Sequence, residues 1–235
     1  MSKVVLIAGA TGMVGKRVLE RALEQGEISK VIVYGRSSVD FKHAKMEEVL
    51  SPIFDQFPVA LLDQLPKVDH ILFCVGVYTG AVKRDVFREI TVDYPVELAK
   101  KHLEANPSGA FSLLSGQGAD RTEKSRMMFA MDKGIAENAL STMYGGRFFS
   151  FRPGYIYPSI KRKEPNFSYR LSRSLYPLLK AFGPKYSITS FELAEAIFTS
   201  ALKHPDREVL ENQEILDLSP KSFATVVAPH LLSYL

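Results

Sequence analysis

The sequence predicts an α/β fold, a doubly wound parallel sheet with a small C-terminal cap, and three observations predict it. Short apolar runs alternate with stretches of helical period along most of the chain. Several of those runs are continuously apolar, as strands covered on both faces are. The first of them passes straight into a glycine-rich turn and then a helix. On this reading residues 1–158 form the core, and 159–235 form a cap that returns a last strand and helix to it as one compact unit.

The first strand is Val4-Val5-Leu6-Ile7-Ala8, and the helix after it begins near Lys16. Residues 30–34 form a second strand, closed by Gly35-Arg36-Ser37-Ser38, and a third is expected near Pro52-Ile53-Phe54. The fourth spans 68–76. Between 85 and 103, Val86, Phe87, Ile90, Val96, Leu98, Ala99 and Leu103 suit a helix that bends or restarts around Pro95. A fifth strand at 110–115, a helix over about 126–140 and a sixth strand at 147–151 follow. After Arg152-Pro153-Gly154 the rhythm changes. A loop rich in Pro, Lys and Arg leads to helices near 167–181 and 190–203, a last strand near 214–218 and a C-terminal helix.

Composition narrows the function classes. With 235 residues and 46% hydrophobic content the chain can bury a substantial core, and 24% charged residues without a low-complexity tract argue against extended disorder. The lone Cys74 excludes an internal disulfide and fits a reducing, cytoplasmic setting. The apolar runs at the N-terminus and at 71–82 fall short of the roughly 20 residues a membrane helix needs, so no membrane partner is expected. A net charge of +4 has a local source in Lys161, Arg162, Lys163, Arg170, Arg173, Lys180 and Lys185, opposed by Glu164. Tyr169, Tyr176 and Phe182 are interleaved, as on a nucleic-acid surface. No nucleic-acid-binding motif accompanies them, and a solvated helix face beside an anionic pocket is the preferred reading.

Gly9-Ala10-Thr11-Gly12-Met13-Val14-Gly15 carries most of the functional information. Strand, glycine turn and helix in this order make the Rossmann-type site for a dinucleotide pyrophosphate. Gly9 permits the sharp turn, Gly12 lets backbone approach the phosphates, and Gly15 lets the helix lie close. The free N–H groups and dipole of the helix start favour the anion. The second strand ends in Arg36 and Ser37, with no carboxylate until Asp40. A guanidinium and a hydroxyl suit a 2′-phosphate, whereas a carboxylate would repel one. NADP is therefore expected ahead of NAD; the competing reading of Arg36 is a surface arginine at a turn.

At this point the chain resembles the short-chain dehydrogenase/reductase superfamily, in particular its atypical members. The resemblance rests on the glycine loop, on Cys74-Val75-Gly76 after the fourth strand, on Leu113-Leu114-Ser115-Gly116-Gln117-Gly118-Ala119-Asp120, and on Arg152-Pro153-Gly154. Together these are similar to the Tat-interacting-protein-like group, relatives of NmrA-like redox sensors and sugar-nucleotide epimerases. The resemblance adds Cys74, Val75, Gly76, Pro153, Gly154 and Lys133 to the implied cofactor contacts. It also implies a substrate-binding serine at Ser115. Active members carry Tyr-x-x-x-Lys on the helix after strand five, the tyrosine exchanging a proton and the lysine holding the nicotinamide ribose. Here Lys133 matches, but the tyrosine position is Phe129, which has no proton to give. No tyrosine lies between Tyr94 and Tyr144.

Tyr78 and Tyr155, just past strand four and the Arg-Pro-Gly turn, are candidate substitutes, each competing with an ordinary half-buried aromatic. Tyr176-Pro177-Leu178-Leu179-Lys180 repeats the spacing in the cap, with a proline inside it, and is read as chance. His43, His70, His102, His204 and His230 show no metal-ligand spacing, so no metal is expected. Cys74 reads as packing and Asp120 as a turn residue. The resemblance implies an NADP-dependent oxidoreductase or epimerase-like enzyme acting on an unknown small molecule. The alternative is a catalytically inactive protein that senses the cofactor and signals through a protein partner.

Overall fold

The structure is a computed structural model and describes residues 2–159 and 186–219. Seven parallel strands form the main sheet: β1 (Lys3–Ala8), β2 (Ile28–Gly35), β3 (Met46–Leu50), β4 (His70–Phe73), β5 (Ala110–Leu114), β6 (Phe148–Arg152) and β9 (Val209–Glu211). Their spatial order is β3-β2-β1-β4-β5-β6-β9. A separate parallel pair joins β7 (Tyr155–Tyr157) to β8 (Ser187–Thr189).

Alternation along the strands feeds two cores. Val5 and Ile7 of β1 point to one face, packed with Val14, Val18, Leu19 and Ala22 of α1 (Met13–Glu24) and Leu193, Ile197 and Phe198 of α6 (Ser190–Leu202). Leu6 and Ala8 point to the other, with Leu98 and Ala99 of α4 (Tyr94–Ala105) and Ala136, Leu140 and Tyr144 of α5 (Met128–Tyr144). Both faces of the sheet are covered, as the unbroken apolar runs predict.

The helix expected at 85–103 is one rod, α3 (Arg84–Arg88) running through a π segment (Glu89–Asp93) into α4. The π turn stands immediately before Tyr94-Pro95, where the missing proline N–H forbids the regular ladder.

Two expectations are corrected. The third strand is Met46–Leu50, not 52–54. Residues 52–54 turn back instead, because the Ser51 hydroxyl donates to the carbonyls of Ile53 (2.6 Å) and Gln56 (3.0 Å). Phe54 buries its ring against Tyr34 and Tyr94, which is why the segment reads as core. The last strand is Val209–Glu211, and 214–218 belongs to α7 (Asn212–Leu218). Glu214 reaches back to the Glu211 N–H (2.7 Å), a helix-starting capping box that apolar spacing does not reveal. The helices expected at 167–181 and beyond 219, the basic cluster, His230 and the Tyr176 motif lie outside the described residues.

Candidate functional site

Strand order reverses between β1 and β4, and a crevice opens outside the carboxyl ends of the strands at such a point. A cleft of 530 Å³ lies there, bounded by the start of α1, the segments after β4, β5 and β6, and residues 129 and 133 of α5.

The β1 end is shaped by absent side chains. Gly9 adopts φ +84°, and a Cβ there would stand 2.8 Å from the backbone of Cys74 and Val75. A Cβ on Gly15 would run into the Gly9 carbonyl, so the first turn of α1 rests on the loop that precedes it. Gly12 donates its N–H to Gly9 O (3.0 Å) and lines the cleft with Met13 and Val14. No side chain caps α1, and its first turn has no acid, so its N–H groups are left for an anion. A dinucleotide pyrophosphate fits this cradle. Gly9 and Gly15 shape it without lining it, and Thr11 is exposed.

Cys74, Val75 and Gly76 line the cleft, as do Pro153 and Gly154. Burial pushes the Cys74 thiol up to about 12, which suits packing rather than nucleophilic chemistry. Arg36 and Ser37 are exposed at the end of β2, outside the cleft's lining. The carboxylates near them are engaged. Glu48 accepts from the Val39 N–H (2.7 Å) and the Ser38 hydroxyl, and Asp40 pairs with Lys16 at 3.2 Å.

The α5 end is built from buried charge. Lys133 is 8% exposed and donates to the Leu114 carbonyl (3.0 Å). Burial pulls its pKa down to about 8, partly opposed by the negative charge of Glu137 one turn on. Ser115 also lines the cleft, but its hydroxyl donates to Glu137 Oε1 at 2.6 Å. Glu137 is fully buried. It further accepts from Ser150 (2.8 Å), from Arg152 (Nε 2.9 Å, Nη2 2.5 Å) and from Arg121 Nε (2.8 Å). Burial alone would raise its pKa; the bonds from Arg152, Ser115 and Arg121 outweigh that and hold the carboxylate ionised. Arg121 and Arg152 continue to Glu208 and Glu211 beside and within β9.

Phe129 lines the cleft one turn before Lys133. Tyr78 lines it from the segment after β4, and Gln117 from the segment after β5. Tyr155 lies in β7 outside the lining, and its neighbour Ile156 faces the cleft instead. Asp120 accepts from the N–H groups of Thr122, Lys124 and Ser125, the behaviour of a turn residue. Among the described residues no three metal-ligating side chains gather. None of their helices is long and apolar enough to cross a membrane.

Glu137 is the site residue that the sequence reading missed. Its signal was present: a carboxylate inside the buried stripe of α5 formed by Ala130, Lys133, Ala136 and Leu140.

Comparison with known proteins agrees with this geometry. The model of the NAD dependent epimerase/dehydratase family matches residues 5–133. Protein HTATIP2 of Rattus norvegicus is 27% identical over 228 residues, covering 94% of this chain and 91% of that protein. A short-chain dehydrogenase/reductase from Saccharomyces cerevisiae superposes with a TM-score of 0.67 at 16% identity, over 93% of this chain and all of the other. UDP-N-acetylglucosamine 4-epimerase from Bacillus cereus gives 0.62 at 16% identity, over 92% and 82%. These structural likenesses concern the fold. With a glycine cradle at the switch point, and with more than half of its length matched by one family model, the chain belongs to the NAD dependent epimerase/dehydratase family, which binds nicotinamide dinucleotides.

Proposed function

We propose that the protein binds NADP(H) along this cleft and acts as an oxidoreductase or epimerase-like enzyme on a small molecule. Phe129 then stands where active relatives carry a proton-donating tyrosine. The observation that carries this reading is the continuity of the cleft from the glycine cradle to the buried Lys133 ammonium. The nicotinamide would supply hydride chemistry at that end. Gly12, Met13 and Val14 would hold the pyrophosphate, and Cys74, Val75, Gly76, Pro153 and Gly154 the walls. Lys133 would hold the ribose hydroxyls. Arg36 and Ser37 would take the 2′-phosphate, since Asp40 and Glu48 are engaged elsewhere. Among the described residues Tyr78 is the phenol lining the cleft, and it is the candidate proton donor.

A second reading has an observation of its own. The Ser115 proton is committed to an ionised Glu137, so Ser115 can only accept a bond from the cleft. Together with Phe129, this favours a protein that binds the cofactor, senses its redox state and acts through a protein partner. Calorimetric titration with NADPH, NADP+ and NADH, followed by reduced-nicotinamide oxidation against a carbonyl panel, separates the two. Turnover that Tyr78→Phe abolishes supports the enzyme. Tight, redox-selective binding without turnover supports the sensor.

A further inference from the structure

The turn after β2 folds onto the start of α1. Val39 is buried in the same core as Val14 and Val18 of that helix, with Phe41 packed against it. Glu48 of β3 fixes the turn from the other side, accepting from the Ser38 hydroxyl (2.9 Å) and the Val39 N–H (2.7 Å). The next residue, Asp40, meets Lys16 in the first turn of α1, whose Nζ lies 3.2 Å from both carboxylate oxygens. This pair bridges two segments that the cofactor reading places along one adenosine ribose. Gly12, Met13 and Val14 lie on the pyrophosphate side, and Arg36 and Ser37 on the 2′ side.

The pair is built to exchange. The side chains of Lys16 and Asp40 are 42% and 76% exposed, and an ion pair so open to water contributes little. The hydrogen bond from the Lys16 ammonium holds the Asp40 carboxyl below its ordinary range, so the acid is ionised. A phosphate offers the same ammonium more negative charge and more acceptor oxygens than a carboxylate does. Released, Asp40 returns to water at little cost. It then stands as a like charge beside the phosphate and opposes it.

Resting on the cofactor reading, we propose that Lys16 is a second specificity-determining cation for the 2′-phosphate of NADP(H), held by Asp40 in the free protein, and that Asp40 competes with the phosphate for it. Calorimetric titration of the full chain with NADPH and NADH tests this. Lys16→Ala should weaken NADPH about tenfold, the size of one charge-assisted contact in a solvated position, and leave NADH within roughly twofold. Lys16→Arg keeps the charge and should keep most of the preference. Asp40→Asn should tighten NADPH about threefold, within the range of an exposed ion pair, and leave NADH unchanged. Parent-like thermal unfolding confirms that each variant is folded. If Lys16→Ala weakens both nucleotides equally, Lys16 meets the pyrophosphate they share and the proposal is overturned. Unchanged NADPH affinity in Lys16→Ala, or weaker NADPH binding in Asp40→Asn, overturns it as well. In each of those cases dinucleotide binding, and with it the cofactor reading, still stands. If the parent binds neither nucleotide, the cofactor reading fails and this proposal falls with it.

Discussion

The two ends of the cleft are made rigid by opposite means. At the β1 end, side chains are missing: Gly9, Gly12 and Gly15 let backbone pack on backbone, and no ionisable side chain of that loop takes part. At the α5 end, side chains are crowded together, with Glu137 buried among Arg121, Arg152, Ser115 and Ser150. The first arrangement suits a ligand whose shape and charge are constant, such as a pyrophosphate. The second holds the Ser115 hydroxyl and the two guanidinium groups in fixed orientations. Substitutions at the two ends should therefore fail differently.

The largest effect belongs to the charged end. Glu137→Ala leaves two guanidinium groups facing a buried gap, and removal of one partner from such a cluster costs about 3–5 kcal/mol. Denaturant unfolding should show that loss, and it should shrink when Arg152 is also replaced by Met. If the double variant is no more stable than the single one, the carboxylate is not holding the charge.

Next comes the glycine end. Gly9→Ala places a Cβ against the Cys74 and Val75 backbone at a positive φ, and strain with overpacking of this kind costs about 3 kcal/mol. Unlike Glu137→Ala, it should abolish NADPH binding even under conditions where the chain stays folded, because the cradle itself is displaced. Calorimetry on the folded variant tests this; unaltered affinity would separate the turn from the cofactor.

These contrasts also explain what the sequence could reveal. A motif made of missing side chains is visible in a string of residues, because glycine spacing after an apolar run has few other causes; Gly9, Gly12 and Gly15 were legible for that reason. A network made of distant charges is not visible. Glu137 meets Ser115, Arg121 and Arg152 only after β5, β6 and α5 are assembled, so its place in an apolar helix stripe shows in the sequence and its partners do not. The same logic hid β3. Glu47 and Glu48 interrupt its apolar pattern, and their partners Lys30 and Ser38 come from β2 and the turn after it.

A pH test sharpens the charged end further. Lys133 has a folded pKa near 8 against an ordinary 10.5. Between those values the unfolded chain holds a proton that the folded chain has released, so stability rises with pH across that window. Below pH 8 both forms are protonated and the full cost of burying the ammonium is present. Lys133→Met should thus be more stable than the parent at pH 7, by up to roughly 3 kcal/mol. The advantage should diminish between pH 8 and 10.5. A constant difference across that range would mean that Lys133 is not buried as a charge.

The smallest effect lies at the far tip of the glycine end, where Arg36 is exposed and outside the cleft's lining. A charge-assisted contact to a 2′-phosphate in such a solvated position contributes about 1.4 kcal/mol, a tenfold change in affinity. Arg36→Ala should weaken NADPH by about that factor and leave NADH unchanged, because NADH has a hydroxyl where NADPH carries the phosphate. High salt should reduce the difference in the parent and have no such effect in the variant, since an exposed ion pair is screened. Equal affinity of the parent for both nucleotides would remove Arg36 from the cofactor site. It would also confine the specificity of that end to the pyrophosphate, which every nicotinamide dinucleotide shares.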